Sequence, residues 1–160
     1  MPHSQLCALS VLDKQSWQDF GGEASLYRTT TFCLLPTGDI PSRKAVFDML
    51  LAGCIPVVFD RRQIDIYTWH LSPEEIKAIH IFVDIEEALT MKILTLDVLT
   101  NVSHSSVVAM RSAIKQVAWK LQYALPPPAA SSWVPPKDDA LEIILNKLFR
   151  LASRPTGPKF

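Results

Sequence analysis

The residues best placed to do chemistry lie between positions 32 and 70 of the 160-residue chain. Thr31-Phe32-Cys33-Leu34-Leu35 is β-branched, aromatic and apolar, the composition of a buried strand, and Pro36-Thr37-Gly38-Asp39 stops it. Ser42 then suits the N-cap of a helix running to about Ala52. Gly38 has no side chain to keep a ligand away from the backbone. Unpaired amides and the dipole at the helix start favour an anion. Arg43, read as a first-turn residue, opposes that dipole unless an anion accompanies it, and its guanidinium can grip a phosphate with two hydrogen bonds. The combination points to a diphosphate at the carboxyl ends of the strands.

Asp48 lies further along an otherwise apolar helix, where an unpaired carboxylate is costly. It can accept hydrogen bonds from a ribose diol or bond a neighbouring loop, and Arg43 is not ideally spaced to pair with it. Trp69 and His70 either stack on and bond a ligand or belong to the core and rim. A strand, a turn with Gly and a helix with Arg also occur in proteins that bind no phosphate.

The elements around these residues form an α/β pattern. The helix after Ser42 is apolar nearly all round, Gly53 suits its C-terminal cap, and Cys54–Phe59 reads as a second buried strand. Two apolar strands separated by a helix predict a parallel βαβ unit. Glu23–Thr29 is a short helix candidate. Ser72 and Pro73 open another helix, Ile79–Val83 is a third strand, and Asp84 or a neighbour starts a helix to about Ile93. From His104 to Tyr123 one helix carries Val107, Met110, Ile114, Val117 and Leu121 on one face. Five of the twelve prolines fall in Pro126–Pro136, a linker. Asp138 starts a last helix with Leu141, Ile144, Leu145 and Leu148 on one face. The implied organisation is an incomplete lead-in (1–21), a nucleotide-binding domain (22–125), a linker (126–137), a helix (138–153) and a tail (154–160).

Composition removes several alternatives. The 48% hydrophobic content supports a sizeable core. Sixteen basic residues balance sixteen acidic ones, so no broad positive field invites nucleic acid. Neither GxxxxGK[ST] nor GxSxG occurs, and the four histidines lack metal-ligand spacing. Without an Asp-x-Asp motif, a metal-held nucleotide is unsupported, and no cofactor is expected. Asp84-Ile85-Glu86-Glu87 is most simply a charged helix start. Cys7, Cys33 and Cys54 are odd in number, and Cys33 and Cys54, within apolar runs, read as buried free thiols. The opening residues lack a signal-peptide pattern, and no window has the roughly 20 apolar residues of a membrane span. Asn101-Val102-Ser103 fits the N-glycosylation acceptor pattern.

Phe32-Cys33-Leu34, Pro36, Gly38-Asp39, Arg43, Phe47-Asp48, Leu51-Ala52-Gly53-Cys54-Ile55-Pro56-Val57 and Tyr67-Thr68-Trp69-His70-Leu71 together resemble the exostosin-type domain of glycosyltransferase family 47. Gly38-Asp39, Phe47-Asp48 and Trp69-His70-Leu71 are most similar to its plant xyloglucan galactosyltransferase branch, whereas animal exostosins usually have Glu where Asp48 stands. The resemblance is dense over residues 25–85 and weaker through the later helices.

The resemblance implies a GT-B fold, two Rossmann-like domains across a cleft, with this chain supplying the C-terminal, donor-binding, three-layer domain plus C-terminal helices. It implies inverting transfer of a sugar, galactose in this branch, from a UDP-sugar to a cell-wall polysaccharide on the lumenal side of the Golgi membrane. Its partners would be the nucleotide sugar, the glycan acceptor and an N-terminal domain that holds the catalytic base. Arg43 would contact the diphosphate, Asp48 the ribose hydroxyls, and Gly38, Asp39 and Ser42 would shape the phosphate and sugar pocket, with Trp69 and His70 beside the donor. Leu35 and Asp60 stand where the branch often has Gln and His, which bears on donor identity. The alternative is a truncated or divergent chain that binds nucleotide sugar or a partner without catalysis.

Overall fold

A computed structural model describes residues 20–125 and 137–153. Three parallel strands, β1 (Phe32–Leu35), β2 (Ile55–Val58) and β3 (Ile81–Phe82), form one sheet in that order. Helix α1 (Phe20–Thr29) precedes β1, and α2 (Lys44–Ala52) joins β1 to β2. Between β2 and β3 lie α3 (Arg62–Asp65) and α4 (Pro73–Ala78). After β3 come α5 (Ile85–Leu89), α6 (Thr95–Thr100), α7 (His104–Val117), a 3₁₀ turn (Ala118–Leu121) and α8 (Ala140–Ala152). The expected mixed α/β architecture and parallel βαβ unit are therefore present. The linker expected at 126–137, its last residue apart, and the tail at 154–160 lie outside the described residues, as does nearly all of the lead-in at 1–21.

β2 is buried along its whole length, with Ile55, Val57 and Val58 fully inaccessible. Its Pro56 is the residue least expected in a central strand, because proline donates no ladder hydrogen bond. The register accommodates it. Ile55 donates to Thr31 on the β1 side, and the Val58 carbonyl accepts from Val83 on the β3 side. Backbone groups alternate sides along a strand, so Pro56 faces the β3 side. Pairing with β3 begins only at Val57. The missing donor falls where there is no ladder to break.

Gly53 ends α2 with φ 79°, and its amide and that of Cys54 donate to Leu50 and Met49. This left-handed cap turns the chain directly into β2. Ser72 and Pro73 open α4 as expected: Ser72 accepts from Glu75, whose carboxylate accepts the Ser72 amide in return. Asp84 caps α5 by accepting from Glu86 and Glu87.

Several boundaries and environments differ from expectation. The lead-in ends early, because α1 already begins at Phe20. β1 is only half-buried: it is an edge strand, and Leu34 is 47% exposed while its cross-strand partner Val57 is inaccessible. The helix after Asp84 stops at Leu89, and α6 follows as a separate element. The long helix gives way to a 3₁₀ turn at Ala118, although Ile114, Val117 and Leu121 are buried as the period required. Helix α8 starts at Ala140, two residues late, because Asp139 supplies the cap to Glu142 while Asp138 takes a positive φ. Of its expected core face, Leu141, Leu145 and Leu148 remain about half exposed.

Cys33 and Cys54 are buried, as expected, but they are not free thiols. They form a disulfide with their Cα atoms 6.0 Å apart. Parallel pairing of Phe32 with Ile55 brings the two residues together across β1 and the entry to β2. Parity over the whole chain could not show that two of three cysteines meet. A bridge over 21 residues constrains the unfolded chain by about 3 kcal/mol. The Cys33→Ala/Cys54→Ala variant is expected to lose about that much stability in urea unfolding relative to the oxidised protein. Reductant should move the wild-type midpoint and leave the variant's unchanged.

Candidate functional site

The strands end on the side from which the Pro36–Arg43 loop and the Phe59–Leu71 segment emerge. A buried side chain joins these two segments. Gln63 is 1% exposed. Its Oε1 accepts from the Phe59 and Asp60 amides at 3.2 and 3.1 Å, and its Nε2 donates to the Pro36 carbonyl at 3.0 Å. An amide side chain has both the acceptor and the donor this bridge needs. Nothing in the period or composition of Arg62-Gln63-Ile64 marked Gln63 in advance.

Beyond Pro36, Arg43 is the N-cap residue of α2, with extended backbone (φ −135°, ψ 132°) and no side-chain cap. Ser42 was expected in that role, and Arg43 within the first turn; the helix instead starts one residue later, and Ser42 is exposed. The extended backbone lets the Arg43 side chain fold back over Gly38. A Cβ at Gly38 would collide with the Nη1 atom and come within 3.1 Å of Cζ. Gly38 thus makes room for the guanidinium, a more specific demand than free approach of a ligand. Asp39, beside it, is exposed.

Tyr67 holds the same corner from the other segment. Its ring meets Phe47 edge-on, with centroids 4.8 Å apart and planes at 73°. Burial raises the Tyr67 phenol above its ordinary value, and the Arg43 backbone opposes that shift. Asp48 is paired, as its position demanded, but with Lys44: Nζ lies 2.5 Å from Oδ2, one helical turn away. Arg43 and Lys44 therefore bring two cations to the start of α2, with Asp48 behind them.

The structure brings Gly38, Arg43 and the start of α2 together, with Asp48 one turn along. Trp69 and His70 turn elsewhere. They line a 230 Å³ cleft with Lys120, Asp138, Asn146, Lys147 and Arg150, against α8 rather than α2. Trp69 is 42% exposed, and burial lowers the His70 imidazole below its ordinary range. The two substituted positions also differ in kind. Leu35 is a core residue. Asp60 accepts from the Arg62 side chain at 2.6–3.1 Å and from its amide at 2.9 Å, and the guanidinium holds the carboxyl below its ordinary value.

A larger cleft of 510 Å³, not foreseen from the sequence, opens beside β3 between Arg61, Asp65, Thr68, Lys77, His80 and Phe82. The Arg61 guanidinium lies 4.0 Å above the Phe82 ring. His80 Nδ1 lies 2.6 Å from the Ile76 carbonyl, which fixes Nδ1 as the donor. Burial lowers the His80 imidazole, and the Ile76 bond opposes that shift. No cluster of three or more His, Cys, Asp or Glu side chains that could hold a metal ion occurs among the described residues.

Residues 3–96 match the exostosin GT47 domain. A probable xyloglucan galactosyltransferase of Arabidopsis thaliana is 32% identical over 127 residues, which are 78% of this chain and 29% of that protein. A xyloglucan-specific galacturonosyltransferase from the same plant is 38% identical over 90 residues, 56% of this chain and 13% of that protein. A xyloglucan galactosyltransferase is 29% identical over 127 residues, 79% and 20% of the respective chains. The chain spans less than a third of the length of these relatives.

Two outcomes follow from this geometry. Gln63→Leu leaves two amides and a carbonyl without their partner and should cost about 2 kcal/mol in urea unfolding. Acid should also destabilise the fold in two stages. His70 and His80 have folded values below their unfolded ones. The unfolded chain therefore binds protons first, and stability falls as pH drops through about 6.5. Asp139 is held low by the Glu142 and Ala124 amides, so its contribution is lost below about pH 4. Unfolding midpoints at pH 7.5 and 5.5 should differ, and His80→Asn should shrink the difference.

Proposed function

This chain belongs to the exostosin GT47 family, on its plant xyloglucan branch, and on that premise we propose that it is the donor-binding portion of an inverting glycosyltransferase. Its donor is UDP-galactose, and the galactose passes to a hydroxyl of a cell-wall polysaccharide in the Golgi lumen. The observation that carries this reading is the Arg43 guanidinium, folded over Gly38 at the uncapped start of α2 on the carboxyl side of a parallel sheet. A diphosphate there meets the fork of Arg43, the Lys44 ammonium and the helix dipole. This is the donor domain of a GT-B enzyme, and its β1–α2–β2 unit is the Rossmann-like element that grips the nucleotide.

The mechanism assigns this portion the leaving group. The acceptor hydroxyl attacks the anomeric carbon on the face opposite UDP, the bond from that carbon to the β-phosphate oxygen breaks, and configuration inverts. Charge accumulates on the departing diphosphate, and Arg43 with the α2 amides stabilises it where it develops. Asp48, with Oδ2 on Lys44, accepts from the ribose hydroxyls. Gly38, Asp39 and Ser42 shape the loop beside the phosphates. Trp69 and His70 line the α8 cleft, apart from the Arg43 corner, and so take no part in this donor site. No metal is required, because cationic side chains supply the counter-charge, and the general base belongs to the N-terminal domain.

Calorimetric titration with UDP tests the site. Wild-type chain is expected to bind in the micromolar to millimolar range. Arg43→Ala should weaken binding more than tenfold, and Gly38→Ala should do likewise by displacing the guanidinium. Asp48→Ala should weaken UDP binding without weakening that of inorganic pyrophosphate, because it relieves Lys44 of its counter-charge. Unchanged affinity in Arg43→Ala would remove that residue from the site. A folded wild-type chain that binds no UDP would favour a non-catalytic, partner-binding chain.

A further inference from the structure

We propose that Asn101 carries an N-linked glycan, placed on the opposite edge of the fold from the nucleotide site. Asn101-Val102-Ser103 is the one acceptor triplet in the sequence. The fold presents it well. Asn101 is the C-cap of α6, Ser103 is the N-cap of α7, and both are exposed. Asn101 Nδ2 donates to the Asp97 carbonyl at 2.8 Å. That bond uses one of two amide hydrogens, and a glycosylated amide keeps one.

Two contacts, one from α7 and one from the 3₁₀ turn that continues it, give the direction of this segment. Arg111 donates to the Thr30 carbonyl, just before β1 begins. Lys120 bonds Glu75 in the first turn of α4, which then leads down to the start of β3. Helix α7 therefore runs alongside the strands from their amino ends toward their carboxyl ends. Ser103, the N-cap of α7, precedes Arg111 by about two turns, about 12 Å of rise, so the Asn101–Ser103 turn lies on the side of the amino ends. Gly38 and Arg43 lie at the other end. A glycan there leaves the donor loop open and covers an edge where Leu94 and Leu96 are 45% and 56% exposed.

The second, independent observation is the disulfide between Cys33 and Cys54. Disulfides of this kind form in the oxidising secretory pathway, where N-glycosylation also occurs. In the transfer, Asn101 Nδ2 forms a bond to C1 of the first sugar of a lipid-pyrophosphate-linked oligosaccharide. The bond from C1 to the phosphate oxygen breaks, the lipid pyrophosphate leaves, and one Nδ2 proton passes to solvent through the transferase. The proposal rests on the secretory location within the proposed function, and not on the donor or acceptor.

The full chain is expressed behind a secretory leader in plant cells and recovered from the medium. Glycan release in heavy-oxygen water, followed by peptide mass analysis, should convert Asn101 to labelled Asp. Asn101→Gln and Ser103→Ala should abolish the glycan, whereas Ser103→Thr, which keeps both acceptor and helix cap, should retain it. UDP affinity of Asn101→Gln should stay within twofold of wild type. A secreted chain with the Cys33–Cys54 bond formed and Asn101 unmodified overturns the proposal, whatever its UDP affinity. Loss of UDP binding with the glycan present would instead count against the nucleotide site alone.

Discussion

The carboxyl edge of the sheet depends on one buried amide. Gln63 holds the exit of β2 through the Phe59 and Asp60 amides and the exit of β1 through the Pro36 carbonyl. The two segments it joins are 27 residues apart in sequence. Each leaves the sheet as a loop, and loops of this kind have no ladder to fix them. Burial makes the bridge specific, because any residue without both a donor and an acceptor would strand polar groups away from water. The position of the Pro36–Arg43 loop, and so of the guanidinium over Gly38, follows from this anchor.

Below that edge the sheet is made rigid by burial and by a covalent bond. β2 is inaccessible on both faces, and the disulfide ties its entry to β1. Helix α2 packs Val46, Met49 and Leu50 into the same core as Ile114, Val117 and Leu121 from α7 and the 3₁₀ turn. The start of α2 is thus carried by a close-packed body while its first residue carries charge. The proposed role of this corner, electrostatic stabilisation of a leaving group, calls for such a preorganised site.

The two clefts divide the remaining chemistry. The cleft against α8 gathers Trp69, His70 and four basic or amide side chains from distant parts of the chain. The one beside β3 places Arg61 on an aromatic ring and buries His80 against a carbonyl. In both, burial lowers an imidazole below its ordinary range. Tyr67 lines neither cleft and packs on Phe47 beside the Arg43 corner.

Local signals carried much of the fold. Alternation between apolar runs and a helix period foretold the parallel β1–α2–β2 unit, because each element's burial pattern is written in its own residues. Caps were legible for the same reason: Gly53, Ser72 and Asp84 act within a few residues of themselves. The family, and with it the expectation for Arg43 and Asp48, was legible in motifs whose spacing survives in one dimension. What tertiary structure alone decided was every partnership across the sequence. The disulfide needed a register between two strands, and the cap at Arg43 rather than Ser42 accompanied a side chain folding onto Gly38. Leu34 is exposed because β1 lies at the edge of the sheet formed by the described residues, and the bridging role of Gln63 depends on carbonyl and amide groups that meet in three dimensions. Periodicity reports how a residue's own segment is buried; it holds no information about which distant group will satisfy a hydrogen bond or a thiol.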